Sequence, residues 1–269
     1  MPLVEFVGPP AVGKSALLDE CVRRGGVDAR RSVLGPRHTA LAPLTGWARA
    51  APIRPRLLRT VADRVLVGPS DAQVEAALAA VAPRWDAFLR LILESTPSVA
   101  GHSSAELVLA LVGRGWSIDA TRLRAVLEER RTGTSTLLLD EGLTHPYKAH
   151  AAVGSDDAAL ERYAAVVPLP DVLVVLACDR HHLAERLAGR ARATPHRARW
   201  SVGAPADQPE AFLAEADRTA QMVERIAAGA VARGCHVVRL STSATSPSDN
   251  AATLVDALRS FPDPAGERR

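Results

Sequence analysis

An apolar run, LVEFV at residues 3–7, passes without interruption into Gly8-Pro9-Pro10-Ala11-Val12-Gly13-Lys14-Ser15, and that loop opens directly into the amphipathic stretch KSALLDECVRR at 14–24. A strand that feeds a helix through a short glycine-bounded loop commits the chain to a crossover connection, because the helix must pack back on the sheet that holds the strand. Glycines at both ends of the loop let the backbone approach a bound group with no Cβ in the way. Successive N–H groups at the start of the helix then form a concavity that favours anions. Lys14 and Lys148 are the only two lysines in 269 residues, arginine supplying the other Lys/Arg positions. An ammonium is a compact point charge on a flexible stem, able to reach phosphate oxygens where a broad planar guanidinium fits poorly.

Four more apolar runs rich in Val and Leu follow: RSVLG (31–35), TLLLD (136–140), DVLVVLAC (171–178) and CHVVRL (235–240). Their hydrophobicity is continuous and not alternating, which suits strands buried on both faces of a parallel sheet. Helical periodicity lies between them. RWDAFLRLILES (84–95) sets Trp85, Phe88, Leu89 and Ile92 on one face, and SIDATRLRAVLEERR (117–131) has Ser117 and Asp119 at its start and Gly133 just past its end. Further helices are expected in DDAALERYAAVV, DRHHLAERLAGRAR, EAFLAEADRTAQMVERIAAGAVARG and NAATLVDALRSF. Alternating strand and helix predict an α/β class: right-handed βαβ units, about five parallel strands and helices on both sides, a three-layer αβα arrangement.

Between the second run and TLLLD no convincing strand occurs, and so long a crossover is expected to be a helical insertion at 36–133, set into a core of 1–35 and 134–260 with a frayed tail at 261–269. Net charge is +3 from 33 basic and 30 acidic residues, a mild imbalance that does not form a nucleic-acid-binding stripe. No apolar stretch is long enough to span a bilayer, and the chain enters its first strand with no leader-like segment, so a soluble cytoplasmic protein with no membrane partner is expected. Cys21, Cys178 and Cys235 are odd in number, widely spaced and set among apolar neighbours, the pattern of reduced core thiols. His181 and His182 are adjacent and point to different sides of a helix, and neither HExxH, a Cys/His cluster nor G-x-S-x-G occurs. Oligomeric state is left open.

The strand with GPPAVGKS resembles the Walker A motif of P-loop nucleoside-triphosphate-binding proteins, and the order of the later motifs is similar to that of small kinases of the adenylate- and thymidylate-kinase kind. The resemblance spans about 1–24 and 134–258. It implies that Gly8, Pro9, Pro10, Ala11, Val12, Gly13, Lys14, Ser15 and Ala16 cradle ATP, with Lys14 on the β- and γ-phosphates and the Ser15 hydroxyl on Mg²⁺. STLLLDEGLTH resembles a Walker B strand, in which Asp140 would hold Mg²⁺ and Glu141 would take a proton from an attacking hydroxyl or orient water. The same acids also suit a simple turn before Gly142. Arg186, Arg190 and Arg192 resemble a lid that closes over the triphosphate, Arg186 and Arg190 sharing a helix face, and they suit a solvated face equally. Asp179 is expected to cap that helix. Thr242, Ser243 and Ala244 match the loop that grips adenine in such kinases, or a plain strand-to-helix turn.

Other residues offer contacts to an acceptor. His145 and Tyr147 follow the acidic turn, with surface positions the favoured reading. Trp47 and Trp200 suit stacking on a ring or anchoring a loop, and Arg54, Arg56 and Arg59 suit an acceptor that already carries phosphate. The expected activity is transfer of the γ-phosphoryl group of ATP to a hydroxyl or phosphate of a small molecule: a nucleoside, nucleotide, sugar or hydroxylated natural product. The alternative is a P-loop ATPase working as a switch or motor with a protein partner, for which an LSGGQ signature is lacking. An NKxD base-reading motif, as in GTPases, would need a third lysine.

Overall fold

Strands with no polar face must be covered on both sides, and the chain supplies helices to do so. The computed structural model describes residues 3–25, 33–34, 85–94, 136–139, 142–153, 156–193 and 209–260. In chain order the elements are β1 (Leu3–Val7), α1 (Lys14–Gly25), β2 (Val33–Leu34), α2 (Asp86–Glu94), β3 (Thr136–Leu139), α3 (Pro146–Val153), α4 (Asp157–Val166), β4 (Val172–Ala177), α5 (Arg180–Ala193), α6 (Pro209–Ala232), β5 (His236–Ser241) and α7 (Pro247–Ser260). The sheet is parallel throughout, in the order β2-β3-β1-β4-β5. The protein is therefore of the α/β class.

Alternate residues of each central strand serve opposite layers. Val4 and Phe6 of β1, Leu138 of β3 and Val172, Val174 and Leu176 of β4 pack against Leu17, Leu18 and Cys21 of α1 and Leu254 and Leu258 of α7. On the other face Val7, Leu173 and Val175 meet Val223, Ala227 and Ala230 of α6. Each of the Val, Leu and Phe side chains among them, fully removed from water, contributes about 1.5–3 kcal/mol. Helices α3 and α4 extend this second layer through Ala149, Leu160, Tyr163 and Ala164, joined by Leu143 and by Ile226 of α6. Asp156 caps α4 by accepting from Ala159 N at 2.8 Å. Arg233 donates to the carbonyls of Ala164 and Val167 at the other end, where a cation suits the exposed carbonyls.

Of the expected insertion, only α2 falls within the described residues; the helix at 117–131 lies outside them. Phe88 and Leu91 of α2 are buried, and Phe88 meets Tyr163 edge-on with ring centroids 5.7 Å apart. Helix α3 is an element that periodicity does not announce. Its first residue is Pro146, where a missing N–H costs nothing, and His145 caps it, its carbonyl accepting from Ala149 N at 3.2 Å. All three cysteines are free thiols, and burial pushes Cys21 up to about 12 and Cys235 up to about 11. Among the described residues no helix is long and apolar enough to cross a membrane.

Candidate nucleotide site

Because every strand runs the same way, the loops after β1, β3, β4 and β5 leave a common edge. Neighbours β3 and β4 flank β1 directly, so the loop at 8–13 lies between the segments that follow them. The connection leaving β1 runs toward β2 on one side and the connection leaving its neighbour β4 runs toward β5 on the other, the place where α/β sheets open a crevice for ligands.

The loop's backbone is unusual in three places. Gly8 has φ 154°, and a Cβ on it would stand 2.7 Å from the Leu176 carbonyl oxygen of β4. Gly13 has φ 105°, and Ala11 is left-handed at φ 62°. A non-glycine residue in that region is held at a cost of roughly 1–2 kcal/mol, a cost the surrounding contacts must offset. Pro9 and Pro10 carry no N–H, so beyond Gly8 the loop's donors begin at Ala11. Val12 N spends its own on Pro9 O at 3.3 Å, closing a turn. Helix α1 starts at Lys14, and its first N–H groups have no carbonyl one turn back. Lys14 folds across the loop, Nζ donating to Gly8 O at 2.8 Å and Pro9 O at 3.3 Å. Ser15 and Ala16 are exposed in the first turn.

On the β4–β5 side the loop is cross-linked. Arg186 of α5 donates through Nη1 to Val12 O at 3.0 Å and to Thr242 Oγ1 at 2.9 Å, and through Nη2 to Thr242 O at 2.6 Å. Thr242 Oγ1 donates to Val12 O at 2.7 Å, while its N–H donates to Ala177 O at 2.9 Å. Ser243 Oγ accepts from Asp179 N at 2.6 Å, and Asn250 Nδ2 donates to Ser241 O at 2.8 Å. Arg186, Thr242 and Ser243, widely separated in sequence from the cradle, are thus brought to it. Ala244 is exposed, its N–H 3.5 Å from Ser241 Oγ. Asp179 stands ahead of α5, its carbonyl accepting from Leu183 N at 2.9 Å.

On the β3 side, Leu139 and Gly142 are described, and the two acids between them, Asp140 and Glu141, lie outside the described residues. So do the side chains of Arg190, Arg192 and Tyr147, and all of Trp47, Trp200, Arg54, Arg56 and Arg59. His145 departs from its favoured surface reading. It is partly buried, and burial together with the nearby Lys14 ammonium lowers its imidazole to about 3, so it is neutral near pH 7. What the sequence did not single out is the bracket made by Arg186 on Val12, and the shaping role of Asn250; a lone amide in the first turn of a terminal helix carries no signal by itself.

A polyphosphate fits this cradle: the close approach at Gly8, the left-handed Ala11 and Gly13 and the helix start favour an extended anion. Among the described residues no group of three His, Cys, Asp or Glu side chains could hold a metal ion. Mg²⁺ needs no such group, since it is commonly held by one or two protein oxygens together with substrate phosphates and water. Ser15 offers the first of those oxygens. In comparisons with known proteins, no family model matches the chain and no curated protein matches its sequence.

Proposed function

We propose that this protein is an ATP-dependent phosphotransferase of P-loop architecture, similar to small nucleotide kinases, that moves the γ-phosphoryl group to a hydroxyl or phosphate of a small molecule. The observation that carries the reading is the cradle itself: a strand, a loop with left-handed Ala11 and Gly13, and Lys14 at a helix start, directly beside the strand that leads to Asp140. The five-strand order with β1 between β3 and β4 supports it, because β3, whose sequence runs on into Asp140, then pairs directly with the strand that enters the loop.

In this reading Lys14 exchanges the carbonyls of Gly8 and Pro9 for β- and γ-phosphate oxygens. N–H groups of the loop and first helical turn hold the remaining oxygens at fixed positions, so little reorganisation is needed as charge moves to the leaving group. Ser15 and Asp140 would hold Mg²⁺, which when bound neutralises phosphate charge. Arg186 keeps Val12 and Thr242 tied, fixing the base-side loop against the cradle, while Arg190 and Arg192 would supply cations from α5. Glu141 would take the proton from the acceptor hydroxyl. Acceptor choice belongs to residues 36–133.

The test is ATP turnover by the full chain with and without a panel of nucleosides, nucleotides, sugars and hydroxylated natural products. ADP release that depends on one acceptor, with a mass gain of one phosphate on it, supports the kinase. Steady turnover that ignores every acceptor and rises with a protein partner points to the switch or motor. Lys14→Ala and Asp140→Asn should each lower turnover by about 100-fold or more; full activity in either would remove the site assignment.

A further inference from the structure

One carboxylate stands where the sheet ought to be apolar. Glu5, the middle residue of β1, is 2% exposed, on the face shared with Val7, Leu173 and Val175. Burying a carboxylate is costly unless its oxygens are well used, so a charge in this place calls for a purpose. Its Oε1 accepts from Thr144 N at 2.9 Å. A Cβ at Gly142 would overlap the carboxyl carbon and both oxygens of Glu5, so the backbone there passes directly against the carboxylate. Glu5 is also the register partner of Leu139 on β3. Both residues that bound the acidic pair Asp140-Glu141 therefore sit on the same residue of β1, one through the sheet ladder and the other through the carboxyl group.

The loop is held from its far side too. Tyr163 of α4, wholly buried, donates from its hydroxyl to Leu143 O at 2.6 Å. Thr144 Oγ1 is buried with no hydrogen-bond partner among the described residues. His145 follows immediately, close enough to Lys14 to feel its charge.

We infer that Glu5 is a positioning residue: its carboxylate fixes the Gly142–Thr144 turn and thereby sets where the acidic pair before the turn and His145 after it stand relative to Lys14. This rests on the proposed Mg·ATP site. Glu5 touches no phosphate in this scheme. Its effect is selective for the metal-bound nucleotide, because the acids it positions act on the metal while the cradle alone holds the bare triphosphate.

The test is calorimetric titration of the full chain with Mg·ATP and with ATP in excess EDTA. Glu5→Ala should weaken Mg·ATP binding by roughly 10–100-fold, the usual effect of removing a group that orients a metal ligand, and weaken metal-free ATP by less than about threefold. Glu5→Gln keeps an acceptor for Thr144 N and should recover most of the loss. Gly142→Ala, which drives a methyl into the carboxylate, should reproduce the metal-selective defect with Glu5 in place, and it carries the same test if Glu5→Ala does not fold. Glu5→Ala and Gly142→Ala variants that melt cooperatively and bind Mg·ATP like the parent would overturn the inference. Equal losses for both forms of the nucleotide would overturn it as well. A parent chain that binds neither form refutes the proposed function and this inference together; a parent that binds, with undisturbed variants, refutes the inference alone.

Discussion

The two flanks of the cradle are built on opposite principles. On the β3 side, Glu5, Leu143, Thr144 and Tyr163 are all 8% exposed or less, and the turn is held by an interior carboxylate and an interior hydroxyl. On the β4–β5 side, Arg186, Thr242 and Ser243 are partly exposed and Asp179 and Ser241 are exposed, and the loop is held by a web of short polar bonds that water can also reach. Interior hydrogen bonds are strong and intolerant of loss, whereas half-solvated ones can be exchanged for water at small cost. The β3 flank should therefore govern folding. On the proposed function, the β4–β5 flank should govern grip on the nucleotide with little effect on stability.

That contrast can be broken most forcefully at Phe88, which packs on Tyr163 behind the buried turn. Phe88→Ala should destabilise the chain by about 3–5 kcal/mol in denaturant titration, and a loss below about 1 kcal/mol would mean that α2 is not integral to this flank. Tyr163→Phe removes only the hydroxyl and leaves the Leu143 carbonyl buried without it, for an expected loss of about 1–3 kcal/mol in the same measurement.

His145 offers a pH test. Burial lowers its imidazole to about 3. The unfolded chain then binds the extra proton between about pH 6.5 and 3, so stability contributed by neutral His145 is present above that window and lost as pH falls through it. Comparing parent and His145→Asn at pH 8 and pH 5, the parent should lose on the order of 1–2 kcal/mol more, and equal losses would show the imidazole to be freely solvated. The smallest stability change is expected across the cradle. Arg186→Ala should shift the melting midpoint little yet weaken both Mg·ATP and metal-free ATP by about tenfold, with no preference for the metal form. A metal-selective loss at Arg186 would erase the distinction between the flanks.

The sheet and its neighbouring helices were legible because their signals are local and repeated. Runs such as DVLVVLAC suit only a strand covered on both faces, and β4 appears at Val172–Ala177 within them. The turn in GPPAVGKS was legible for a different reason, since its two glycines sit at positive φ where a side chain is strained. Helix α3 was not, because PYKAHAAV alternates small and polar residues without a stripe and opens on a proline that reads first as a break. Glu5 was passed over inside LVEFV, where one acid among four apolar residues leaves a strand reading intact; its meaning depends on Gly142, 137 positions away, coming to lie against it. The Arg186 bracket is likewise a product of tertiary contact, joining residues separated by 174 and 56 positions.

If the cradle binds a nucleotide as proposed, the resting posture of Lys14 bears on which anions it would accept. Its ammonium already sits between two backbone oxygens, at 2.8 and 3.3 Å. On the proposed function, chloride or a lone orthophosphate would offer too little to draw it away, and would face a cation whose charge is partly answered from within. A chain of linked phosphates presents several oxygens at once and would engage the amides and the ammonium together, so the lysine's self-contact would act as a filter against simple anions.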